Sequence, residues 1–282
     1  MLAFNNIGSL GRLGNQMFEY AALRGIAAEH GYDFMIPPPE NGGIENYSLH
    51  SCFKLSPDRK EGVPECRYIQ EPHFHFSEGL YKNCPDNVSL YGFFQSWRYF
   101  YNVRDQIRED YTFHKGILDP CKEMMEELEG QEPIMLHVRR GDPNLTDPRG
   151  FKWSYTQCGS MHPVQPIEYY ENALKHFRKD QPVVVFSDSV EWVKEQDFFK
   201  PDRFMISEPV DKYADGSFTP YGDLCLMSLC SHAIIANSSI SWWGAWLQTN
   251  PDKKVIAPKM WFGSAYQFHD TKDLYCPNWT VI

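Results

Sequence analysis

The chain has 282 residues, and its 42% hydrophobic content is enough to fill the cores of two domains of ordinary size. A formal net charge of -10 argues against nucleic acid as a major partner, because binding along a phosphate backbone needs a basic face. The eight cysteines form no C-x-x-C pair, and no stretch reads as a secretory signal or transmembrane segment, so we expect reduced thiols and a cytoplasmic location.

The first predicted element is a glycine-rich turn that leads into an amphipathic helix, GSLGRLGNQMFEYAAL over 8–23. Glycines allow the main chain to approach a ligand closely, and a helix N-terminus presents unpaired N–H groups to an anion. The segment is neither a P-loop nor a dinucleotide fingerprint, since it lacks Gly-Lys and the G-x-G-x-x-G spacing. At this point an anion site and a tight turn without a ligand both remain open.

Residues 31–130 are irregular in pattern, with a charged helical segment predicted over 120–130. His73 and His75 lie on one face of a predicted strand, but two histidines without a third ligand make a poor metal site.

From Glu132 onward, short apolar runs alternate with helical segments, which is the pattern of a parallel sheet with crossover helices. Strands are predicted over 134–138, 183–186, 203–206, 233–236 and 254–257, with helices over 166–177, 189–199 and 223–230. Ligands of open α/β sheets bind beyond the carboxyl ends of the strands, so the residues that follow each strand are the candidate site.

The first of these strands is followed by two adjacent arginines, Arg139 and Arg140, and then by Asp142. Paired guanidinium groups attract a doubly charged or bidentate anion. Successive side chains of an extended segment point in opposite directions, so one arginine could contact a ligand while the other pairs with Asp142. A surface salt-bridge cluster is the alternative.

Polar residues follow two more predicted strands. They are Ser187, Asp188 and Ser189 after the second strand, and Asn237, Ser238 and Ser239 after the fourth. The first set could cap the next helix, or Asp188 could hold a ribose hydroxyl or a base N–H. The second set forms a candidate anion cradle before another helix.

Three tryptophans, Trp242, Trp243 and Trp246, share one face of the helix after this loop. That spacing favours core packing, with sugar stacking as the second interpretation. The chain has no Asp-x-Asp to hold a divalent ion, so a diphosphate site built from arginines and helix ends is expected to work without metal.

Four stretches together resemble the alpha-1,2-fucosyltransferases of glycosyltransferase family 11. They are GRLGNQMFEYAAL (11–23), HVRRGD (137–142), FSDS (186–189) and DLCLMSLCSHAIIANSSISWWGAWL (223–247). The resemblance covers both ends and most of the C-terminal half, whereas residues 31–130 carry almost none of it.

The resemblance implies a GT-B-like α/β fold, in which two Rossmann-like domains face a cleft. We expect an acceptor-side domain over 1–130, a nucleotide-sugar-binding domain over 131–260, and a tail over 261–282 that packs back on the first domain. The implied reaction is inverting transfer of L-fucose from GDP-fucose to a hydroxyl of a galactose-containing glycan, in alpha-1,2 linkage, with no metal or other cofactor.

The resemblance also implies roles for individual residues. The catalytic set is Arg139, Arg140, Asn15 and Asp142, with the arginine pair on the diphosphate. The donor-binding set is His137, Gly14, Gln16, Ser187, Asp188, Ser189, Asn237, Ser238, Ser239, Ile240 and Ser241. In this interpretation Asn15 and Gln16 reach the cleft from the first domain, and the opening glycines let that backbone close over the donor.

One departure from the family leaves alternatives open. Relatives usually read Ser-Asp-Asp where this chain has Ser-Asp-Ser over 187–189, so a carboxylate expected to recognise guanine is missing. A different nucleotide sugar is therefore one alternative. A non-catalytic carbohydrate-binding protein, with the aromatic residues that make up 15% of the chain as a stacking surface, is another. The general base could be Asp142, Asp147 or Glu19, or Asn15 could orient the acceptor hydroxyl while its proton leaves late.

Overall fold

The computed structural model describes residues 1–39, 47–141, 154–208 and 219–282. The chain folds as two compact units: unit 1 is Met1–Lys115 with His269–Cys276, and unit 2 is Gly116–Phe268 with Pro277–Ile282. The first boundary precedes the predicted one at residue 130. The segment predicted as a single tail over 261–282 is divided between the two units.

Unit 1 is built on a five-stranded sheet of very short parallel strands, in the order β3-β2-β1-β5-β4. Its elements are β1 (Leu2–Ala3), α1 (Leu13–His30), β2 (Phe34–Ile36), α2 (Leu49–Cys52), β3 (Lys60–Glu61), β4 (Arg67–Gln70), α3 (Glu78–Asn83), β5 (Val88–Tyr91) and α4 (Arg104–Asp110). The strand order reverses between β1 and β5, which places the topological switch point of unit 1 there.

The opening helix α1 is the central helix of unit 1, and it is buried along most of its length. It ends at Gly31, whose φ of 67° is the left-handed C-cap conformation that glycine adopts without strain. Gly25 allows the chain to pass close by, because a Cβ there would lie 2.0 Å from the carbonyl oxygen of Tyr99. The predicted amphipathic helix is therefore a core helix.

Unit 2 contains a six-stranded parallel sheet in the order β11-β10-β9-β6-β7-β8. Its elements are α5 (Lys115–Met125), which begins at the last residue of unit 1, then β6 (Ile134–Val138), α6 (Ile167–Leu174), β7 (Val183–Ser187), α7 (Val190–Glu195), β8 (Phe204–Ile206), α8 (Tyr221–Leu229), β9 (His232–Ile234), α9 (Ser239–Leu247), β10 (Val255–Ala257) and β11 (Thr280–Val281). This is the Rossmann order, and it reverses between β6 and β9.

The strands predicted for the second half are confirmed, with ends shifted by at most two residues. They could be predicted because β6, β7 and β9 are buried along their whole length and therefore consist of continuous apolar runs. The tryptophans of α9 confirm the prediction of core packing, since Trp242 and Trp243 are fully buried.

Two further predictions concern the cysteines and the His73–His75 segment. All eight cysteines lie within the described ranges and are in the thiol form, as predicted. The predicted strand through the two histidines is wrong. Pro72 has no N–H for a sheet ladder, and the histidine rings instead stack 3.6 Å apart while His73 Nδ1 lies 2.8 Å from the carbonyl oxygen of His75. Among the helices in the described ranges, none is both long and apolar enough to cross a bilayer.

Candidate active site

In unit 2, the predicted donor-site residues lie at the carboxyl edge of the sheet. Strands β9, β6 and β7 are parallel neighbours, and His137 and Val138 pair with Phe186 and Ser187. The segments that follow the three strands therefore emerge side by side, at and next to the switch point where open α/β sheets bind ligands.

The side chain of Asp188 contacts three groups at this edge. Its Oδ1 accepts a hydrogen bond from the backbone N–H of Arg140 at 2.9 Å, and its Oδ2 accepts one from Gly141 at 2.8 Å. Oδ2 also lies 2.5 Å from Nη1 of Arg139. Helix α7 has Ser189 as its N-cap, with no side-chain capping bond. The Ser189 hydroxyl instead donates to the carbonyl oxygen of Gly141 at 3.1 Å. The Ser-Asp-Ser segment thus fixes residues 139–141, which we call the arginine loop.

The two arginines take different neighbours, as expected for successive residues of an extended segment. The Arg139 guanidinium lies 5.1 Å from the ring centroid of Tyr155, and the Arg140 guanidinium lies 3.7 Å from that of Trp192. Nε of Arg139 is buried without a hydrogen-bond partner in the described ranges. Arg139 pairs with Asp188, while the predicted partner Asp142 lies outside the described residues.

His137 supplies a neutral group beside these charges. The pKa of His137 is lowered to about 4, chiefly by burial; the charge of Asp188 opposes this shift, and the charge of Arg139 adds to it. The imidazole is therefore uncharged at neutral pH. Its Nδ1 is buried and makes no hydrogen bond within the described part of the chain. This nitrogen could serve a ligand as a neutral hydrogen-bonding group, but it adds no positive charge.

The loop after β9 is braced by Asn237. Its Nδ2 donates to the carbonyl oxygens of Pro163 at 3.0 Å and Trp261 at 3.1 Å, and its Oδ1 accepts from Gln165 at 3.1 Å. The predicted phosphate donor therefore uses its side-chain amide to hold two neighbouring segments of unit 2.

The other predicted residues of this loop begin α9. Ser238 is the N-cap, and Ser239, Ile240 and Ser241 form the first turn of this nine-residue helix. The Ser241 hydroxyl is buried and donates to the carbonyl oxygen of Ser238 at 3.2 Å. The groups of this loop suited to an anion are accordingly the main-chain N–H groups at the helix N-terminus.

In unit 1, the predicted residues Gly14, Asn15 and Gln16 lie in the first turn of α1. Gln16 is fully buried; its Nε2 donates to the carbonyl oxygen of Gly11 at 3.1 Å, and its Oε1 accepts from the N–H of Ser48 at 2.9 Å. Gln16 therefore holds the glycine-rich turn in place. Asn15 is half-buried, and its Oδ1 accepts a 2.9 Å hydrogen bond from Nε2 of Gln95.

The local geometry requires glycine at two positions of the turn before α1. Gly8 has a φ of 90°, which side chains rarely adopt. At Gly11 a Cβ would lie 2.2 Å from Nδ2 of Asn15. The permissive backbone before the helix therefore makes room for the Asn15 amide, and Gly14 is buried within the helix itself.

Of the candidate bases, only Glu19 lies within the described residues, since Asp142 and Asp147 fall outside them. Glu19 is fully buried, and this burial raises the pKa of its carboxyl well above the ordinary value, with the backbone of Gly8 opposing the shift and the charge of Glu71 adding to it. A group without solvent contact is poorly placed to take a proton from an acceptor, so the structure argues against Glu19 as the base.

Sequence reasoning missed several residues that shape the two sheet edges. The ring of Tyr155 contacts the Arg139 guanidinium, and the ring of Trp192 contacts that of Arg140. Gln95 donates a hydrogen bond to Asn15. Glu71, directly after β4, accepts hydrogen bonds from the next loop. These partners are separated by many residues in the chain, so no local spacing connects them. Of these residues Glu71 directly follows a strand, and that strand, β4, was not predicted from the sequence.

The two units are each α/β structures with a parallel sheet, which defines a GT-B-like fold. Solved fucosyltransferases share this fold. The chain is similar to the fucosyltransferase NodZ from Bradyrhizobium, with a TM-score of 0.55 and 15% identity, over 88% of this chain and 93% of that one. It is also similar to POFUT1 in complex with GDP-fucose, with a TM-score of 0.54 and 12% identity, over 90% of this chain and 96% of that one.

The chain belongs to glycosyl transferase family 11, whose family model matches residues 2–282. It is 29% identical over 279 residues to an alpha-1,2-colitosyltransferase of Escherichia coli, which covers 89% of this chain and 90% of the relative. It is also 29% identical over 246 residues to galactoside alpha-(1,2)-fucosyltransferase 1 of Homo sapiens, covering 84% of this chain.

The match to O-antigen biosynthesis glycosyltransferase WbnK of Escherichia coli is 29% identical over 211 residues and covers 72% of this chain. This chain spans 63% of the length of WbnK and 63% of the human relative. Membership of a glycosyltransferase family favours an enzyme over the carbohydrate-binding alternative.

Proposed function

We propose that this protein transfers L-fucose from GDP-fucose to a hydroxyl of a galactose-containing glycan, forming an alpha-1,2 linkage with inversion and without a metal ion. The observation that supports it most is Arg139, held by Asp188 at the carboxyl edge of the unit 2 sheet with a buried Nε that has no partner in the described ranges. A fixed guanidinium at a Rossmann switch point suits a nucleotide diphosphate.

In the proposed reaction the acceptor oxygen attacks the anomeric carbon of fucose as the bond to the β-phosphate oxygen breaks. The bonding electrons leave with GDP, so negative charge grows on the β-phosphate in the transition state. A guanidinium already aimed at this charge stabilises the transition state more than the ground state. Asp188 contributes by holding Arg139 before the substrate arrives, which limits reorganisation during the reaction.

The acceptor proton leaves late in this proposal, because the transition state has oxocarbenium character and GDP is a good leaving group. Asn15 orients the acceptor hydroxyl, and Asp142 and Asp147 are the remaining candidates for the general base. The pH dependence of kcat/KM for Asp142→Asn tests the assignment: loss of the acidic limb supports Asp142, and an unchanged profile removes it.

A second candidate donor is a GDP-activated colitose. The match to the colitosyltransferase covers 90% of the length of that relative, whereas the match to the human fucosyltransferase covers 63% of the length of that one. Colitose lacks a hydroxyl that fucose has, so discrimination rests on whether the site binds that hydroxyl. A site that hydrogen-bonds a substrate hydroxyl rejects an analogue lacking it strongly, and an apolar pocket discriminates weakly.

The deciding experiment incubates the purified protein in EDTA with GDP-fucose or GDP-colitose and a panel of galactosides, following GDP release and product mass. Fucosylated product in EDTA supports the donor, the reaction class and metal independence together. Faster turnover of GDP-colitose moves the assignment to the second candidate. If neither donor gives product and GDP does not raise the melting temperature, the proposed donor site is wrong.

A further inference from the structure

The loops at the switch point of unit 1 carry the amide that orients the acceptor hydroxyl in the proposed reaction. Strands β1 and β5 are parallel neighbours there. The glycine-rich turn follows β1, and the segment 92–95 follows β5. Two loops from adjacent strand ends therefore meet at the position where α/β sheets place ligand contacts, and they carry Asn15 and Gln95.

The carboxyl group of Glu71 holds the loop after β5 in place. The N–H groups of Phe93 and Phe94 both donate to Oε2 of Glu71 at 2.9 Å. Gly92 has a φ of 149°, and a Cβ there would lie 2.5 Å from Cβ of Glu71. Phe94 has a φ of 50°, and its buried ring packs against Phe4 with centroids 5.8 Å apart. These contacts fix the loop in one conformation, which sets the position of the next residue.

That next residue, Gln95, is buried to more than nine-tenths, and its Nε2 donates to Oδ1 of Asn15. The two ends of an amide differ in chemistry, so a donor on Oδ1 determines which end faces which neighbour. The nitrogen end of Asn15 lies over Gly11, where a Cβ would be 2.2 Å from it. Gln95 and Gly11 together hold the Asn15 amide in one orientation.

We infer that Gln95, carried on the loop that Glu71 organises, is a positioning residue that fixes the orientation of the Asn15 amide at the substrate. This rests on the proposed function only in that Asn15 contacts a substrate. The hydrogen bond itself lies within unit 1. Gln95 acts through Asn15 and touches no reacting atom.

A double-mutant cycle tests whether Gln95 acts through Asn15. Gln95→Ala is expected to lower kcat about threefold to tenfold, the effect of losing one neutral hydrogen bond, with little change in KM for the donor. In an Asn15→Ala background the same change should cost nothing further. Additive losses would show that Gln95 acts independently of Asn15 and would overturn the inference. Gln131→Ala, an exposed glutamine of unit 2, is the matched control.

The variant Gln95→Glu keeps the side-chain shape and makes the bond depend on protonation. A charged carboxylate cannot donate to Oδ1 of Asn15, whereas a protonated carboxyl can. The ratio of Gln95→Glu activity to unmodified activity should therefore rise as the pH falls. A ratio that stays constant with pH contradicts the role. Glu71→Gln, which keeps an acceptor oxygen for the loop, should lose less activity than Glu71→Ala.

A structural readout separates this inference from the proposed function. In protein labelled with ¹⁵N-asparagine, the side-chain amide signals of Asn15 are those missing from Asn15→Ala. They should shift or broaden in Gln95→Ala and stay unchanged in Gln131→Ala. Shifted signals in a protein inactive with both donors would refute the function and support the positioning role. An active protein with unshifted signals and additive losses would do the reverse.

Discussion

The parallel sheets of the two units each have a topological switch point, and the residues at their carboxyl edges differ in charge. In unit 2 the strand ends carry the guanidinium groups of Arg139 and Arg140 beside a helix N-terminus, with Asp188 holding the arginine loop. In unit 1 the corresponding edge has the amides of Asn15 and Gln95 at its centre, beside buried carboxyl groups, and its arginine, Arg12, is the exposed N-cap residue of α1. Topology sets where each site lies, and side-chain chemistry sets which ligand it suits.

This difference predicts a division of labour within the proposed reaction. A cationic edge stabilises the charge that grows on a leaving diphosphate, whereas neutral amides orient a hydroxyl without binding a phosphate strongly. Variants of unit 2 should therefore act mainly on donor binding and bond breaking. Variants of unit 1 should act mainly on the alignment of the acceptor, or on the stability of unit 1.

The largest expected effect is on the cationic edge. Arg139→Ala should lower kcat on the order of a hundredfold or more, as loss of a preorganised donor to a developing oxyanion does. It should also weaken the stabilisation of the protein by GDP in thermal unfolding. Arg178→Ala removes an exposed arginine of the same unit, paired with Glu132, and should leave both readouts unchanged. Full turnover by folded Arg139→Ala protein would end the assignment.

The amide edge should respond to crowding. Gly11→Ala places a Cβ against the Asn15 amide, and displacing a catalytic group by about 1 Å costs up to about a hundredfold in rate. The melting temperature with GDP should change less than turnover does. Gly79→Ala, in α3 of the same unit and with open space around the new Cβ, is the control. Equal activities of the two variants would argue against a role for the Asn15 position.

A smaller effect is expected from the group that holds Arg139. Asp188→Asn replaces one acceptor oxygen by N–H donors, so at least one donor of the arginine loop loses its partner. Hydrogen bonds to charged groups are worth about 1.5–3 kcal/mol, so the Kd of GDP should rise about tenfold or more. Titration calorimetry measures this directly. An unaltered Kd would mean that the arginines are positioned without Asp188.

The smallest expected effect is on stability and concerns Glu19. Its folded-state pKa is raised above the ordinary 4.5, so the folded protein keeps a proton that the unfolded chain releases. The free energy of unfolding should therefore fall as the pH rises from about 4.5 toward the folded-state pKa, by up to about 1.4 kcal/mol per pH unit.

Glu19→Gln should remove this pH dependence and be more stable than the unmodified protein at neutral pH. Urea unfolding of both proteins from pH 5 to 8 tests it, with Glu123→Gln, an exposed glutamate, as control. Parallel stability curves for the Glu19→Gln and unmodified proteins would mean that Glu19 ionises in the folded state at little cost.

Predictability differed between the two units for a physical reason. The central strands of unit 2 are buried on both faces, so their sequences are apolar runs such as IMLHV and VVVFS. The strands of unit 1 are two to four residues long, and β3 and β4 are largely exposed. Such segments carry no periodicity that a single sequence can display.

The candidate site divides in the same way. Arg139 and Asp188 were predicted as site residues because each lies within two residues of the end of a predicted strand. Their mutual ion pair was not predicted, because it joins the ends of two strands that pair only in the folded sheet. Asn237 was predicted to contact phosphate, but its amide holds Pro163 and Trp261.

The sequence by itself determined the α/β class, five of the six strands of unit 2, the family, and the positions where charged residues follow the strands. Those features follow from local patterns of burial and from contiguous motifs. Only the tertiary structure decided that Asp188 organises the arginines, that Gln16 and Asn237 brace loops, and that Gln95 holds Asn15. These contacts join residues far apart in the chain, and the direction of a hydrogen bond depends on where folding places both partners.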